Sequence, residues 1–175
     1  IERAISENDK VVCSIFINPT QFNNQEDLVS YPIQIDKDLA LLRKMNCDLV
    51  FTPEIKDMYP QGNEIQQFEL NGLDALMEGA HRPGHFDGVC TIVNKLFNLI
   101  KPKNAYFGQK DFQQLAIIRQ LNKTQKFKIN IVGCPIIRDE NGLAMSSRNM
   151  LLNKKERLIA AKIYHILTSA KAQFF

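Results

Sequence analysis

The apolar positions along this chain alternate between two periods. Residues 11–17, VVCSIFI, form a nearly continuous β-branched run, which predicts a strand covered on both faces as in a parallel sheet. A polar stretch, NPTQFNNQEDL, reads as a loop, and Pro32 opens a predicted helix with Ile35, Leu39 and Leu42 on one face. CDLVF at 47–51 reads as a second strand, and EIQQFEL at 64–70 as a third. Residues 72–86 read as a short helix, then a loop holding Gly79, Pro83 and Gly84. Val89, Val93, Leu96 and Ile100 form one helical stripe, ended by Lys101-Pro102. NAYF at 104–107 is a strand, followed by a helix carrying Leu115, Ile118 and Leu121. KINIVGCPIIR is another strand, and Asn141-Gly142 marks a tight turn. Asn153 and Glu156 have capping-box spacing ahead of a last helix with Ile159, Ile163, Ile166 and Ala170 facing one way. Strands alternating with helices predict an α/β domain with a mainly parallel sheet and flanking helices.

Composition narrows the class. The 175 residues suit one compact domain or slightly more, with 45% hydrophobic and 23% charged residues. No apolar run is long enough to span a bilayer, and no signal segment opens the chain, so no membrane partner is expected. The net charge of +3 is spread over scattered lysines and arginines, which gives no nucleic-acid footprint. Cys13, Cys47, Cys90 and Cys134 form no CxxC pair and have no histidine at ligand spacing. They read as buried or half-buried thiols in a reducing compartment, and a cytoplasmic location is expected. Ile1, Ala4 and Ile5 begin a helical pattern with no cap before them, and AKAQFF ends without a helix stop, so both ends read as cut.

Three polar clusters follow predicted strands, where ligands gather in open parallel sheets. In the first, Asn18 and Gln21 offer uncharged amides suited to a hydroxylated or carboxylate-bearing small molecule, or to satisfying an Asn-Pro turn. In the second, Gly108 permits close backbone approach and the next helix presents its free N–H groups as a phosphate seat. Lys110 adds a positive charge there. Asp111 could cap the helix, hold a ribose hydroxyl or orient Lys110, and one of Gln113 and Gln114 should face the cleft. The third, Met145-Ser146-Ser147-Arg148, can hold phosphate oxygens through two hydroxyls and a guanidinium, or can be a capping pair beside a surface arginine. No GxxxxGK[ST], no GxSxG and no activated cysteine is present, so the chemistry expected is positioning and charge stabilisation without a covalent intermediate on the protein.

Taken together, SIFINPTQF, FTPEIKDMYP, RPGHFDGVCTIVNKLFNLIKP, YFGQKDFQQLAIIRQL and GLAMSSRN resemble the pantoate–β-alanine ligase (pantothenate synthetase) family from about residue 11 to 152. The resemblance implies a Rossmann-like domain of the adenylate-forming nucleotidyltransferase type over residues 1–150, with residues 151–175 beginning a C-terminal lid domain. It implies ATP-dependent condensation of pantoate with β-alanine through a pantoyl adenylate, with Mg2+ accompanying ATP and no metal ligand from the chain, in a cytoplasmic homodimer. By the same resemblance Gly108, Gln109, Lys110 and Asp111 bind ATP, Ile137 contacts adenine through its backbone, and Met145, Ser146, Ser147 and Arg148 form the phosphate loop. Gln21, Gln114 and Asn18 serve pantoate and β-alanine, and Lys110 and Arg148 carry the catalytic charge stabilisation. Arg82 and His85 are expected to support the site or the dimer.

Two departures from the family qualify these expectations. Gln109 stands where the family usually has glutamate. The family's His-x-Gly-His-type phosphate-binding motif would lie upstream of Ile1, and most of the lid is absent, so the chain by itself is expected to be inactive or nearly so. The competing readings are a related nucleotidyltransferase, which the two glutamines disfavour, and a non-catalytic binding or dimerisation fragment.

Overall fold

A computed structural model describes every residue except Asn23, Asn63 and Phe175, with Gln25 and Asp27 described by backbone alone. Helix α1 (Glu2–Glu7) leads into strand β1 (Val12–Ser14), a 3-10 turn at Pro19–Gln21, and helices α2 (Gln25–Ser30) and α3 (Ile35–Lys44). Strand β2 (Leu49–Phe51) is followed by α4 (Ile55–Met58), α5 (Met77–His81) and the central helix α6 (His85–Ile100). Strand β3 (Asn104–Gly108), helix α7 (Phe112–Thr124), strand β4 (Asn130–Cys134) and helix α8 (Lys154–Phe174) complete the order.

The pairing is parallel, as the continuous apolar runs imply, and the fold is α/β. Among the described residues the strands form two separate parallel pairs. In one, Cys13 faces Val50; in the other, Tyr106 faces Val132. The first pair is less covered than its apolar run predicts, with Val12 39% and Leu49 52% exposed.

The core sits on α6 and α7. Val89, Cys90, Ile92, Val93 and Phe97 of α6 pack against Ile117, Ile118 and Leu121 of α7, with Met58, Tyr59 and Leu70 closing one side. Helix α6 also packs on the 19–21 turn, so one element supports two strand ends. All four cysteines are free thiols, and burial pushes that of Cys90 up to about 12.

Three expectations are revised. Residues 64–70 form no strand, because their backbone bonds run to the side chains of α6: Gln66 N–H donates to Thr91 Oγ1 at 3.0 Å and Phe68 N–H to Asp87 Oδ1 at 3.3 Å. The segment after Asn24 is helical, since the Asn24 side chain accepts from Glu26 N–H at 2.8 Å and caps α2, and the next helix starts at Ile35 rather than Pro32. Helix α6 starts at His85, a turn before the apolar stripe, after Gly84 reverses the chain at φ 76°. The Asn153–Glu156 capping box forms as read, with Glu156 N–H donating to Asn153 Oδ1 at 3.0 Å and Asn153 N–H to Glu156 Oε2 at 2.8 Å. The stripe it precedes lies open: Ile159, Ile163 and Ile166 are each at least 60% exposed, and Ala161 is the residue α8 buries.

Candidate functional site

The first polar cluster sits just beyond β1. Asn-Pro starts the 3-10 turn, with Asn18 Oδ1 accepting from Thr20 N–H at 3.4 Å. Asn18 is only 2% exposed; its amide donates to Gly88 O at 3.1 Å and its oxygen accepts from Tyr59 OH at 2.6 Å and Thr20 Oγ1 at 3.0 Å. Both ends of the amide are engaged inside the protein, so Asn18 shapes the turn. Gln21 differs. Its side chain is half-buried and makes no hydrogen bond among the described residues. Its backbone carbonyl accepts from His85 Nδ1 at 2.7 Å and Arg82 Nη2 at 3.1 Å. Burial lowers the His85 pKa, the Gln21 carbonyl raises it, and the charges of Arg82 and Arg148 lower it further against the opposing pull of Glu78.

The second cluster is the corner from β3 into α7. Gly108 is exposed, and a Cβ there would meet nothing within 4 Å. Gln109 N–H extends the ladder to Cys134 O at 2.8 Å. Its side chain lies over Gly133, where an added Cβ would stand 3.4 Å from Gln109 Cγ. Asp111 occupies the N-cap position but makes no side-chain capping bond; its carboxylate pairs with Lys110 Nζ at 3.2 Å. This geometry rules out side-chain capping by Asp111 and shows it paired with Lys110. An exposed pair of this kind adds little stability.

Gln113 and Gln114 divide their work. Gln113 is buried, and its Nε2 donates to Leu73 O at 2.7 Å and Leu76 O at 2.6 Å, tying α7 to the segment before α5. Its Oε1 is buried without a partner among the described residues. The side chain of Gln114, half-buried, makes no hydrogen bond among the described residues.

The third cluster follows β4. The Asn141-Gly142 turn, with Gly142 at φ 85°, closes a bridge between Arg138 and Ala144. Ile137 is 67% exposed and its carbonyl accepts from Met145 N–H at 2.9 Å, leaving its own N–H without a bond among the described residues. Met145 is 60% exposed. Ser146 Oγ accepts from Arg148 N–H at 3.3 Å and caps the 3-10 turn Ser147–Leu151. The Arg148 guanidinium stands 5.1 Å from the Tyr31 ring centroid. The loop is braced from behind: Asn149 Nδ2 donates to Ala144 O at 2.9 Å, and Arg157 donates to Asn149 O through Nε at 3.1 Å and Nη2 at 2.9 Å. Arg138 stacks 3.8 Å over the Tyr164 ring.

Tyr31 joins the first and third clusters, since its ring meets Phe22 at 5.7 Å and lies under Arg148. Ser147 lines a cavity of about 600 Å³ with Phe16, Ile17, Tyr31, Gln34 and Thr52, beyond the carboxyl ends of β1 and β2. Among the described residues the Lys110–Asp111 pair bonds to neither cluster, and α7, which carries it, packs on α6 as the 19–21 turn does. Tyr31, Tyr59 and Arg157 were not anticipated; each acts through a tertiary approach that leaves no local pattern. Among the described residues no three His, Cys, Asp or Glu side chains gather to hold a metal ion, and no helix is long and apolar enough to cross a membrane.

A family profile described as Pantoate-beta-alanine ligase matches residues 1–174. The pantothenate synthetase of Bacteroides fragilis is 50% identical over 171 residues, covering 98% of this chain and 60% of that protein. That of Cytophaga hutchinsonii is 50% identical over 173 residues, covering 99% and 61%. Among solved structures, pantothenate synthetase from Thermus thermophilus superposes with a TM-score of 0.89 at 47% identity, over 94% of this chain and 59% of that one. The pantoate-beta-alanine ligase of Francisella tularensis, solved with Beta-gamma ATP and Beta-alanine, gives 0.89 at 45% identity, over 95% and 64%. The chain thus spans about 60% of the length of the curated relatives it matches.

Proposed function

The chain belongs to the pantoate–β-alanine ligase family, and we propose that the protein it represents joins pantoate to β-alanine at the expense of ATP. A carboxylate oxygen of pantoate attacks the α-phosphorus of ATP. The bond from that phosphorus to the bridging oxygen breaks, and pyrophosphate leaves with the electron pair. The amine of β-alanine then attacks the acyl carbon of the pantoyl adenylate. The acyl C–O bond breaks, AMP leaves, and the nitrogen loses a proton to give the amide.

The observation that carries this reading is the pair of half-buried glutamines, Gln21 and Gln114, whose side chains have no hydrogen-bond partner among the described residues, on two strand ends that also present cationic groups. Amides of this kind bond the hydroxyls and carboxylate of a small hydroxy acid without charging the site. Lys110 and the first N–H groups of α7 meet the phosphates, Arg148 and the hydroxyls of Ser146 and Ser147 meet them from the other side, and the Ile137 N–H is open to adenine. Ser146 Oγ accepts from the backbone, which leaves its own O–H to donate. Lys110 and Arg148 stabilise charge as the α-phosphorus is attacked. Asn18 shapes the turn that carries Gln21. Mg2+, when bound, would neutralise phosphate charge, held chiefly by the substrate's phosphates, and Asp111 is the carboxylate among the residues assigned here to ATP. Residues 1–150 would form the substrate-binding domain and 151–175 the start of a lid, in a cytoplasmic homodimer.

The test is exchange of labelled pyrophosphate into ATP by the full-length protein, with and without pantoate. Exchange that requires pantoate, and that falls by about a hundredfold in Lys110→Ala and Arg148→Ala, is the expected result. Full exchange in both variants would remove the site assignment, and pantoate-independent exchange would favour another nucleotidyl transfer.

A further inference from the structure

One helical turn grips one 3-10 turn at both ends. Helix α6 begins at His85. From that first turn, His85 reaches the carbonyl of Gln21, and the carbonyl of Gly88 receives the amide of Asn18. Residues three apart on a helix share a face, so the two contacts are neighbours. Arg82, just before the helix, adds a second donor to the same Gln21 carbonyl. The chain between them is folded back by Gly84 at φ 76°, with His85 N–H donating to Arg82 O at 3.1 Å. That reversal lets both side chains converge on one oxygen.

We propose that Arg82 and His85 are positioning residues that set the direction of the Gln21 side chain, and through it the affinity for the hydroxy acid. This rests on the reading that Gln21 contacts that acid. A carbonyl can only accept, so His85 Nδ1 carries a hydrogen and the neutral ring keeps Nε2 free of one. Two donors fix the plane of the peptide after Gln21, and the plane fixes where Cβ points. The Gln21 side chain itself is held by nothing among the described residues. Its aim therefore depends on its backbone, and an amide misplaced by about 1 Å binds or orients poorly. A carbonyl that merely needed satisfying would require one donor. Here it takes a guanidinium and an imidazole from a segment more than sixty positions away.

The experiment is steady-state exchange kinetics on the full-length protein, with Michaelis constants measured separately for pantoate and ATP. His85→Phe keeps a ring but loses the donor; His85→Asn places an amide N–H where Nδ1 was; Arg82→Met removes the second donor. We expect His85→Phe to raise the pantoate KM by about tenfold and Arg82→Met by about threefold, with the ATP KM within about twofold. His85→Asn should recover most of the loss. Thermal melts establish that each variant is folded, and Arg82→Met, at a side chain partly open to solvent, carries the test where His85→Phe does not fold. The proposal is overturned if the pantoate KM does not move, if the ATP KM rises by the same factor, or if Asn rescues no better than Phe. Exchange by the unmodified protein with insensitive variants would sink this inference alone; no exchange by the unmodified protein would sink the functional reading with it.

Discussion

Gly88 lies so close under Thr20 that a Cβ added to it would stand 2.1 Å from the Thr20 carbonyl oxygen. No real Cβ tolerates such a distance from backbone, and neither partner is the free end of a flexible side chain. Either α6 or the turn carrying Gln21 has to move. Gly88→Ala is therefore expected to cost about 1–3 kcal/mol or more of stability, the usual range for overpacking. It should also weaken the binding of the hydroxy acid, because the displaced turn takes Gln21 with it. Urea unfolding and the pantoate KM read the two effects. A variant as stable as the parent would mean that the helix and the turn do not meet as described.

Gln113 and Gln114 offer a sharper separation between fold and function. Gln113→Ala removes donors from two backbone carbonyls, those of Leu73 and Leu76. Leu76 O keeps the Ala80 N–H at 3.3 Å, so the loss falls on Leu73 O, and leaving that part-buried acceptor unpaired costs about 1–3 kcal/mol. The Gln114 side chain has no bond to lose among the described residues, so Gln114→Ala should stay within about 0.5 kcal/mol of the parent in stability while pantoate-dependent exchange collapses. Denaturation curves and exchange rates on the same two preparations check the pair. Reversed phenotypes would exchange the assignments of the two residues.

Much of the fold was legible because its signals are local. The β-branched runs at β1 and β4, the stripe of α6 and the Asn153–Glu156 capping box each declare themselves within a few residues. What was misread depends on partners distant in sequence. Residues 64–70 alternate like a strand, but their backbone finds Thr91 and Asp87 instead of another strand. The first turn of α6 holds Gly88 for the close approach of Thr20, which makes a helix start look like a loop. In the site, the residue types and their place beyond strand ends were readable. Which glutamine stays free, and whether Asp111 caps or pairs, is decided by where Leu73, Leu76 and Lys110 lie.

Gly108 gives a prediction in which the fold stays silent. A methyl there meets nothing within 4 Å, and the glycine lies outside the positive-φ set. Gly108→Ala should leave the melting temperature essentially unchanged. If a nucleotide phosphate approaches this backbone closely, the same methyl stands in its way, and the ATP KM should rise by about tenfold or more. An unchanged ATP KM would place the nucleotide away from the corner.

His85 makes stability depend on pH in a direction that can be worked out. Burial is the main cause of its lowered pKa, so the unfolded chain binds the imidazole proton more readily than the folded one. Stability linked to His85 is then complete above the ordinary imidazole value of about 6.5 and is lost as pH falls below it towards the depressed folded value. The charged groups that bear on the ring are Arg82 and Arg148, which oppose its protonation, and Glu78, which favours it. Asp87, on the same helix, acts in the opposite sense: burial raises its pKa, so its contribution is complete at low pH and is lost as pH rises through the raised value. Subtracting a His85→Asn variant removes Asp87 from the comparison. Urea unfolding between pH of about 7.5 and 5 should show the parent losing more stability than the variant, with the two curves separating below about 6.5. Parallel curves over that range would show that the imidazole titrates alike in the folded and unfolded chains, and that it is not packed against the Gln21 turn as the 2.7 Å bond requires.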